Sequence, residues 1–284
     1  MNFPREQIQI AEEALVEYYA SHGRHDLPWR QPDADGCFDP YKIMVSEIML
    51  QQTQVGRVAA KYHEFLARFP SIHVLGRAEL GDVLAVWQGL GYNRRAKFLW
   101  QAATQIAQQG GAFPHTIDEL VKLPGIGYNT AGAIMAYAYD QPQDFVETNV
   151  RTVLIYHFFA DEERVRDQDI LAAVEILREA TELGPREFYW ALMDYGTHLK
   201  QTVGNLNKLS KSYAKQSKFE GSKRQVRGAV LRELATSNKT LNMLSDVIKD
   251  ERLVVVITDL EAEGMVHRHG QLYSLYRNEA TNEA

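Results

Sequence analysis

Leu123-Pro124-Gly125-Ile126-Gly127, running on into Tyr128-Asn129-Thr130-Ala131-Gly132-Ala133-Ile134, is the stretch on which the fold turns. Gly125 and Gly127, two residues apart, permit a tight turn with positive φ values. Upstream, Thr116-Ile117-Asp118-Glu119 has the form of a capping box and starts a short helix over about 116–122. Downstream, 129–139 reads as a second helix, small-residued enough at Ala131, Gly132, Ala133 and Ala136 to pack closely on a neighbour. Backbone N–H groups in such a turn, and at the helix start behind it, can hold a DNA phosphate without reading sequence. Taken alone, the five residues fit a plain helix–helix connection equally well.

Working outward, residues 5–219 read as mostly helical, because few segments alternate as strands do. Asp39-Pro40 starts a helix, with Asp at the cap and Pro in the first turn. That helix runs from Tyr41 to about Gln54 and carries Ile43, Met44, Val45, Ile48 and Met49 toward a core. Further helices are expected at about 57–69, 78–86, 94–109, 148–160, 167–182 and 186–200. Residues 201–224 are polar and rich in Lys. Beyond them, helices near 225–235, 241–248 and 251–263, a stop at Gly264 and a hairpin over 265–275 outline a small winged helix. Three parts are thus expected: 1–200, a basic linker over 201–224, and 225–284.

The bulk numbers exclude more than they assign. Of the 284 residues, 45% are hydrophobic and 24% charged, ordinary for a soluble globular chain. No run of 18 apolar residues occurs, so no transmembrane helix and no membrane partner are expected. The amphipathic start, MNFPREQIQIAEEALVEYY, lacks an apolar signal core, which makes the cytoplasm, at the nucleoid, the expected location. Cys37 is the only cysteine, so neither an internal disulfide nor a thiolate metal cluster can form. The net charge of -6 gives no global nucleic-acid signature, and any DNA contact must be local.

Four stretches together, Leu27–Arg30 (LPWR), Ser46–Val55 (SEIMLQQTQV), Gly89–Tyr92 (GLGY) and Leu123–Ile134, resemble the helix-hairpin-helix DNA glycosylases. Among these they look most like the A/G-mismatch adenine glycosylases of the MutY type, over about residues 5–200. The resemblance implies a mostly α fold of two helical lobes, into whose cleft a target base is flipped. It makes Glu47 the general acid and places Glu147 where the family has its catalytic aspartate. Asn149 then helps to position the scissile nucleotide, and Leu27, Trp29, Arg30 and Trp190 line the base pocket. Gln51, with Gln52 and Thr53, becomes the wedge that fills the vacated stack, and Tyr92 the residue beside the opposite base. Gly125, Gly127, Asn129 and Thr130 hold backbone at the hairpin, where the resemblance also implies room for a monovalent cation. Double-stranded DNA is the implied partner, and the chain is expected to be a monomer.

The chemistry suits this assignment. Breaking an N-glycosidic bond to a purine requires protonation of the leaving base and stabilisation of a cationic sugar. Two carboxyl groups can divide that work if their surroundings separate their pKa values. Glu47, flanked by Val45-Ser46 and Ile48-Met49, is an unusual residue for an apolar helix, although a partly exposed helix glutamate looks the same in sequence. Glu147, just before a helix, would by itself be ordinary helix-dipole chemistry. Asn129 stands where bifunctional relatives have a lysine nucleophile, and an amide forms no Schiff base, so reaction should end at base removal.

Four departures stand against the pattern. Glu147 is one methylene longer than the family's aspartate, and Thr148 replaces the usual glycine. The four cysteines of the family's iron–sulfur cluster are absent, so no cofactor is expected. In their place Lys200, Lys208, Lys211, Lys215, Lys218, Lys223, Arg224 and Arg227 face a single acid, Glu220, and read as a DNA-contacting loop, with Lys211 and Lys215 central to it, or as a solvated linker. The winged helix stands where the family has an oxidised-guanine-recognising module, and Trp190 where a Gln or Glu would read the base edge. Arg94, Arg95 and Lys97 are read as phosphate-neutralising or as a solvated face. The function expected is excision of adenine paired with guanine or 8-oxoguanine. The alternatives are excision of another damaged or modified base, or DNA binding without catalysis.

Overall fold

The computed structural model describes residues 3–215 and 217–277. Along them run α1 Arg5–His22, α2 Pro40–Leu50, α3 Val55–Arg68, α4 Ile72–Arg77, α5 Leu80–Val86, α6 Arg94–Gln108, α7 Ile117–Leu120, α8 Tyr128–Tyr139, α9 Thr148–Phe158, α10 Asp167–Ala180, α11 Pro185–Thr202, α12 Lys223–Thr236, α13 Leu241–Val247 and α14 Leu253–Ala262. Three short strands, β1 Lys239–Thr240, β2 His267–His269 and β3 Leu272–Ser274, complete the set. The mostly α expectation holds. The hydrophobic spacing did not name α4, and α2 ends at Leu50 rather than near Gln54, because Gln52 turns to φ 56° and leaves the helical region.

The start signals act as read. The Asp39 carboxylate accepts the Tyr41 N–H at 2.8 Å and opens α2. Thr116 accepts the Glu119 N–H, while the Glu119 carboxylate accepts from the Thr116 hydroxyl at 2.9 Å. Between α7 and α8, Gly125 takes φ +77°, and a Cβ there would lie 2.6 Å from Phe98. Gly127 differs from the expectation: at φ −89° it is the extended cap of α8 and needs no left-handed freedom.

The chain divides into two compact units. One comprises the described part of Met1–Glu47, Pro114–Lys122 and Ile126–Lys215. Its core includes Ile43, Met44 and Val45 of α2 and the run Ala131–Ala138 of α8, all buried. Each fully buried side chain of the Ile or Met size contributes about 1.5–3 kcal/mol. Glycine lets α9 and α11 come close: a Cβ on Gly196 would lie 2.4 Å from the Asn149 carbonyl oxygen. The strand-like approach to α9 is fixed by Tyr189, whose ring stacks on Phe145 at 3.9 Å. The Tyr189 hydroxyl accepts the Phe145 N–H at 3.0 Å and donates to the Gln143 carbonyl at 2.8 Å. This lock ends two residues before Glu147.

The other unit comprises Ile48–Phe113, Leu123–Gly125 and the described part of Gln216–Ala284. Its last segment has the expected order of three helices followed by a hairpin. Val226, Val230, Leu231 and Leu234 of α12 and Leu253, Val256, Ile257 and Leu260 of α14 are buried. Gly264, at φ +67°, ends α14. The sheet has the order β1–β3–β2, antiparallel throughout, with Lys239 opposite Tyr273 and His267 opposite Ser274. Polar contacts tie this segment to α6: the Glu263 carboxylate, which also accepts from Arg227 of α12, accepts from Arg94, and the Glu263 carbonyl accepts from Lys97.

Candidate active site

Glu47 is the last residue of α2 within the first unit, and Glu147 is the cap residue of α9. Both are half-buried by surface, and protein encloses the Glu47 carboxyl closely. Burial first, and the charge of Glu147 second, push Glu47 up to about 8 against the opposing charge of Arg30. Glu147 is also raised by burial, but Arg151 and the Thr148 N–H pull it back. The two carboxyl groups therefore have different surroundings, and those of Glu47 favour its protonated form.

Arg30 and Trp190 lie against each other. The Arg30 guanidinium is buried and grips Asp194 with two parallel bonds of 2.7 and 2.9 Å. Arg24 adds a 2.7 Å bond from its Nε and a 2.8 Å bond from its backbone N–H to the same carboxylate. Burial alone would raise Asp194; the hydrogen bonds and charges of Arg30 and Arg24 outweigh it and hold the group below its usual value. Arg30 lies 5.3 Å from the Trp190 ring centroid, and Tyr137 stacks on Trp190 at 6.0 Å. Trp29 is buried nearby in sequence and Leu27 is half-buried, capping the single turn Pro28–Arg30. Tyr137 was not singled out by sequence. Its phenol is held well above the ordinary range by burial and then by the charge of Glu47, with Arg30 opposing and Glu147 adding. The only signal was a tyrosine in an otherwise small and apolar helix.

Asn149, in the first turn of α9, donates to the Thr197 hydroxyl at 3.3 Å. Asn129 is exposed as a residue, yet its amide donates to the Val146 carbonyl at 2.9 Å, adjacent to Glu147. The structure thus brings Glu47, Glu147, Asn149, Arg30, Trp190 and Asn129 into one unit. Thr130 is half-buried beside Asn129 on α8.

The wedge candidates group in the second unit. Gln51 and Thr53 are half-buried and Gln52 is exposed. Tyr92 takes φ 47° between Gly91, at φ 72°, and Asn93. Its ring is flanked by two guanidinium groups, Arg95 at 5.4 Å and Arg224 at 5.1 Å, and its hydroxyl accepts from Arg224. Here the sequence reading of the cations needs correction. Arg95 is buried on backbone carbonyls, while Arg94, Lys97 and Arg227 are engaged by Glu263. Lys223 pairs with Asp259. What remains of the basic stretch as exposed charge includes Lys208, Lys211 and Lys215. The same stretch is anchored rather than loose: Asn207 is buried and donates to the Thr152 hydroxyl at 2.9 Å, and Lys211 donates its N–H to the Val165 carbonyl.

Residues 45–178 match the family model described as HhH-GPD superfamily base excision DNA repair protein. The resemblance read from the sequence is therefore shown over the span that carries the hairpin and both carboxyl groups. An adenine DNA glycosylase of Mycobacterium tuberculosis is 42% identical over 146 residues, which are 51% of this chain and 46% of that protein. An adenine DNA glycosylase of Mycolicibacterium smegmatis is 39% identical over 171 residues, 59% of this chain and 57% of that protein. The chain spans about half the length of the curated relatives it matches. A solved thermostable thymine-DNA glycosylase superposes with a TM-score of 0.56 at 22% identity, over 67% of this chain and 86% of that one, which establishes the fold.

Proposed function

We propose that this chain is a monofunctional DNA glycosylase that flips a base out of double-stranded DNA and hydrolyses its N-glycosidic bond, with adenine as the leading substrate. The observation that carries the reading is the pair Glu47 and Glu147, with Glu47 held up at about 8 by burial and by its neighbour. Glu47 gives its proton to a ring nitrogen of the purine. The glycosidic bond breaks, its electron pair leaves with the base, and the sugar becomes an oxocarbenium-like cation. Glu147 supplies the counter-charge in a poorly solvated site. Water adds to the sugar, and its proton returns to a carboxylate. Asn129 holds the Val146 carbonyl next to Glu147, and Asn149 is oriented by its bond to the Thr197 hydroxyl. Asn129 offers no amine nucleophile, so an intact abasic site is the product.

Adenine is supported by the relatives' names and by the shared motifs. One observation favours a second reading, another modified purine. Trp190 is buried against Arg30 and Tyr137 and offers a ring face, not the hydrogen-bonding edge that an amide or carboxylate would give. An iron–sulfur cluster does not fit this chain: Cys37 is the only cysteine, and among the described residues no group of three His, Cys, Asp or Glu could hold a metal. We take the enzyme to work as a monomer without a cofactor. The test is a panel of duplexes, each with one mismatched or modified base, treated with alkali after incubation. Alkali-labile breaks at one base class, with no covalent adduct after borohydride, are the expected result. Adducts trapped by borohydride would overturn the monofunctional assignment.

A further inference from the structure

The second unit contains a buried cation that the reaction does not use. Arg95 sits at the start of α6 with 9% of its surface exposed. Its Nη1 donates to the carbonyls of Ile48 at 2.8 Å, Met49 at 2.9 Å and Gln51 at 2.5 Å. Its Nη2 donates to the Thr53 hydroxyl at 3.0 Å and to the carbonyls of Leu90 at 3.1 Å and Gly91 at 3.2 Å. The guanidinium also lies 5.5 Å from the Trp87 ring and 5.4 Å from the Tyr92 ring. These hydrogen-bond acceptors are neutral oxygens. A buried guanidinium held by neutral dipoles is an expensive arrangement, and burial lowers its pKa to about 10.

The acceptors fall into two groups that are far apart in sequence. One is the end of α2 and the turn 51–53; the other is the turn 89–92. Both turns carry backbone that ordinary side chains avoid: Gln52 at φ 56°, Tyr92 at φ 47°, Gly89 at φ 95° and Gly91 at φ 72°. Neither turn has regular secondary structure to hold that conformation. Two further bonds cross between or within them, Thr53 hydroxyl to Leu90 carbonyl at 3.4 Å and Trp87 Nε1 to Gly91 carbonyl at 3.0 Å. The planar fork of an arginine is the side chain that can serve six oxygens on two turns at once; the compact lysine ammonium cannot.

We propose that Arg95 is a positioning residue that staples the Gln51–Thr53 and Gly89–Tyr92 turns into one rigid strand-opening device. The proposal rests on the glycosylase reading for the use of that device, but not for the staple itself. Arg95 never touches the DNA. It fixes the spacing between Gln51, which enters the vacated stack, and Tyr92, which enters beside the opposite base. Preorganising both turns removes the ordering cost that would otherwise fall on base opening.

The experiment compares wild type with Arg95→Lys in two measurements. Amide hydrogen exchange of the DNA-free protein should speed up at 51–53 and 89–92 and not in α9 or α11. Base opening, read by 2-aminopurine fluorescence at the target position, should slow about tenfold. In the Arg95→Lys background, Gln51→Ala and Tyr92→Ala should each cost less than about twofold more, because the device is already loose. Unchanged exchange, or losses that multiply in the double variants, would overturn the proposal. If Arg95→Lys fails to fold, Thr53→Val removes one acceptor and should move both readouts in the same direction by less; no movement there overturns the proposal too. A wild-type protein that opens no duplex would overturn the glycosylase reading and the strand-opening role, while the exchange data would still decide whether the staple exists.

Discussion

Glu47→Gln should stabilise the protein and stop it working. In the folded chain Glu47 is raised from 4.5 to about 8, by burial first and by Glu147 second. A raised carboxyl binds its proton more tightly folded than unfolded, so its contribution to stability is full below pH 4.5. It is lost as pH climbs to about 8 and is flat above that. At 1.36 kcal/mol per pH unit, the rise bounds the loss at about 5 kcal/mol, and partial solvent access at Glu47 reduces it to a few kcal/mol. Glutamine has the shape of the protonated acid and no such penalty. Urea denaturation of both proteins at pH 5, 7 and 9 should therefore show a gap in favour of the variant that widens from pH 5 to 9. Excision should meanwhile fall by about 10²–10⁴-fold, the usual worth of general acid assistance. Parallel stability curves over this range would refute the burial argument; a variant with full excision rates would remove Glu47 from the chemistry.

The other carboxyl separates adaptation from tolerance. Glu147→Gln should lose activity steeply, and Glu147→Asp should slow the reaction as well, since the lock on Gln143–Phe145 sets the reach of a glutamate; single-turnover rates of both check this. Asp194→Asn leaves Arg30 buried without its counter-ion and should cost about 3–5 kcal/mol of stability in denaturation experiments. Replacing Lys211 and Lys215 by Ala should reduce the slope of log binding against log salt by about 0.9 for each phosphate no longer neutralised, and an unchanged slope would make that stretch a mere connection.

Some of this is legible in the sequence alone. The hairpin, the start of α2 at Asp39-Pro40 and the three helices and strand hairpin of the last segment follow from caps, glycines and spacing, which act within a few residues. The two glutamates stand out only by resemblance, since a Glu in an apolar helix or at a helix start has the same local sequence whether it is catalytic or merely half-exposed. What sequence missed depends on distance along the chain. Arg95 looks like one more surface cation in Arg94-Arg95-Ala96-Lys97, and only the fold brings it onto carbonyls some 45 residues earlier, at Ile48–Gln51. Likewise, the pairing of Arg227 with Glu263 and of Lys223 with Asp259 takes cations out of a stripe that composition reads as a DNA-contacting loop or a solvated linker. Tyr137 of α8 stacks on Trp190 of α11 and feels the charge of Glu47, and no spacing rule announces that.

The central claim is that two unlike carboxyl groups make this chain an enzyme. Its most direct test is single-turnover incubation with duplexes holding one adenine opposite guanine or 8-oxoguanine, followed by alkali. Wild type should leave an alkali-labile abasic site at the adenine, with a rate that falls as pH rises above about 8 and Glu47 loses its proton. Glu47→Gln should bind the same duplex with no such site. A folded wild-type protein that binds these duplexes and every other duplex of the panel, yet leaves each base in place, would contradict the claim and make the chain a DNA-binding protein with an idle pocket.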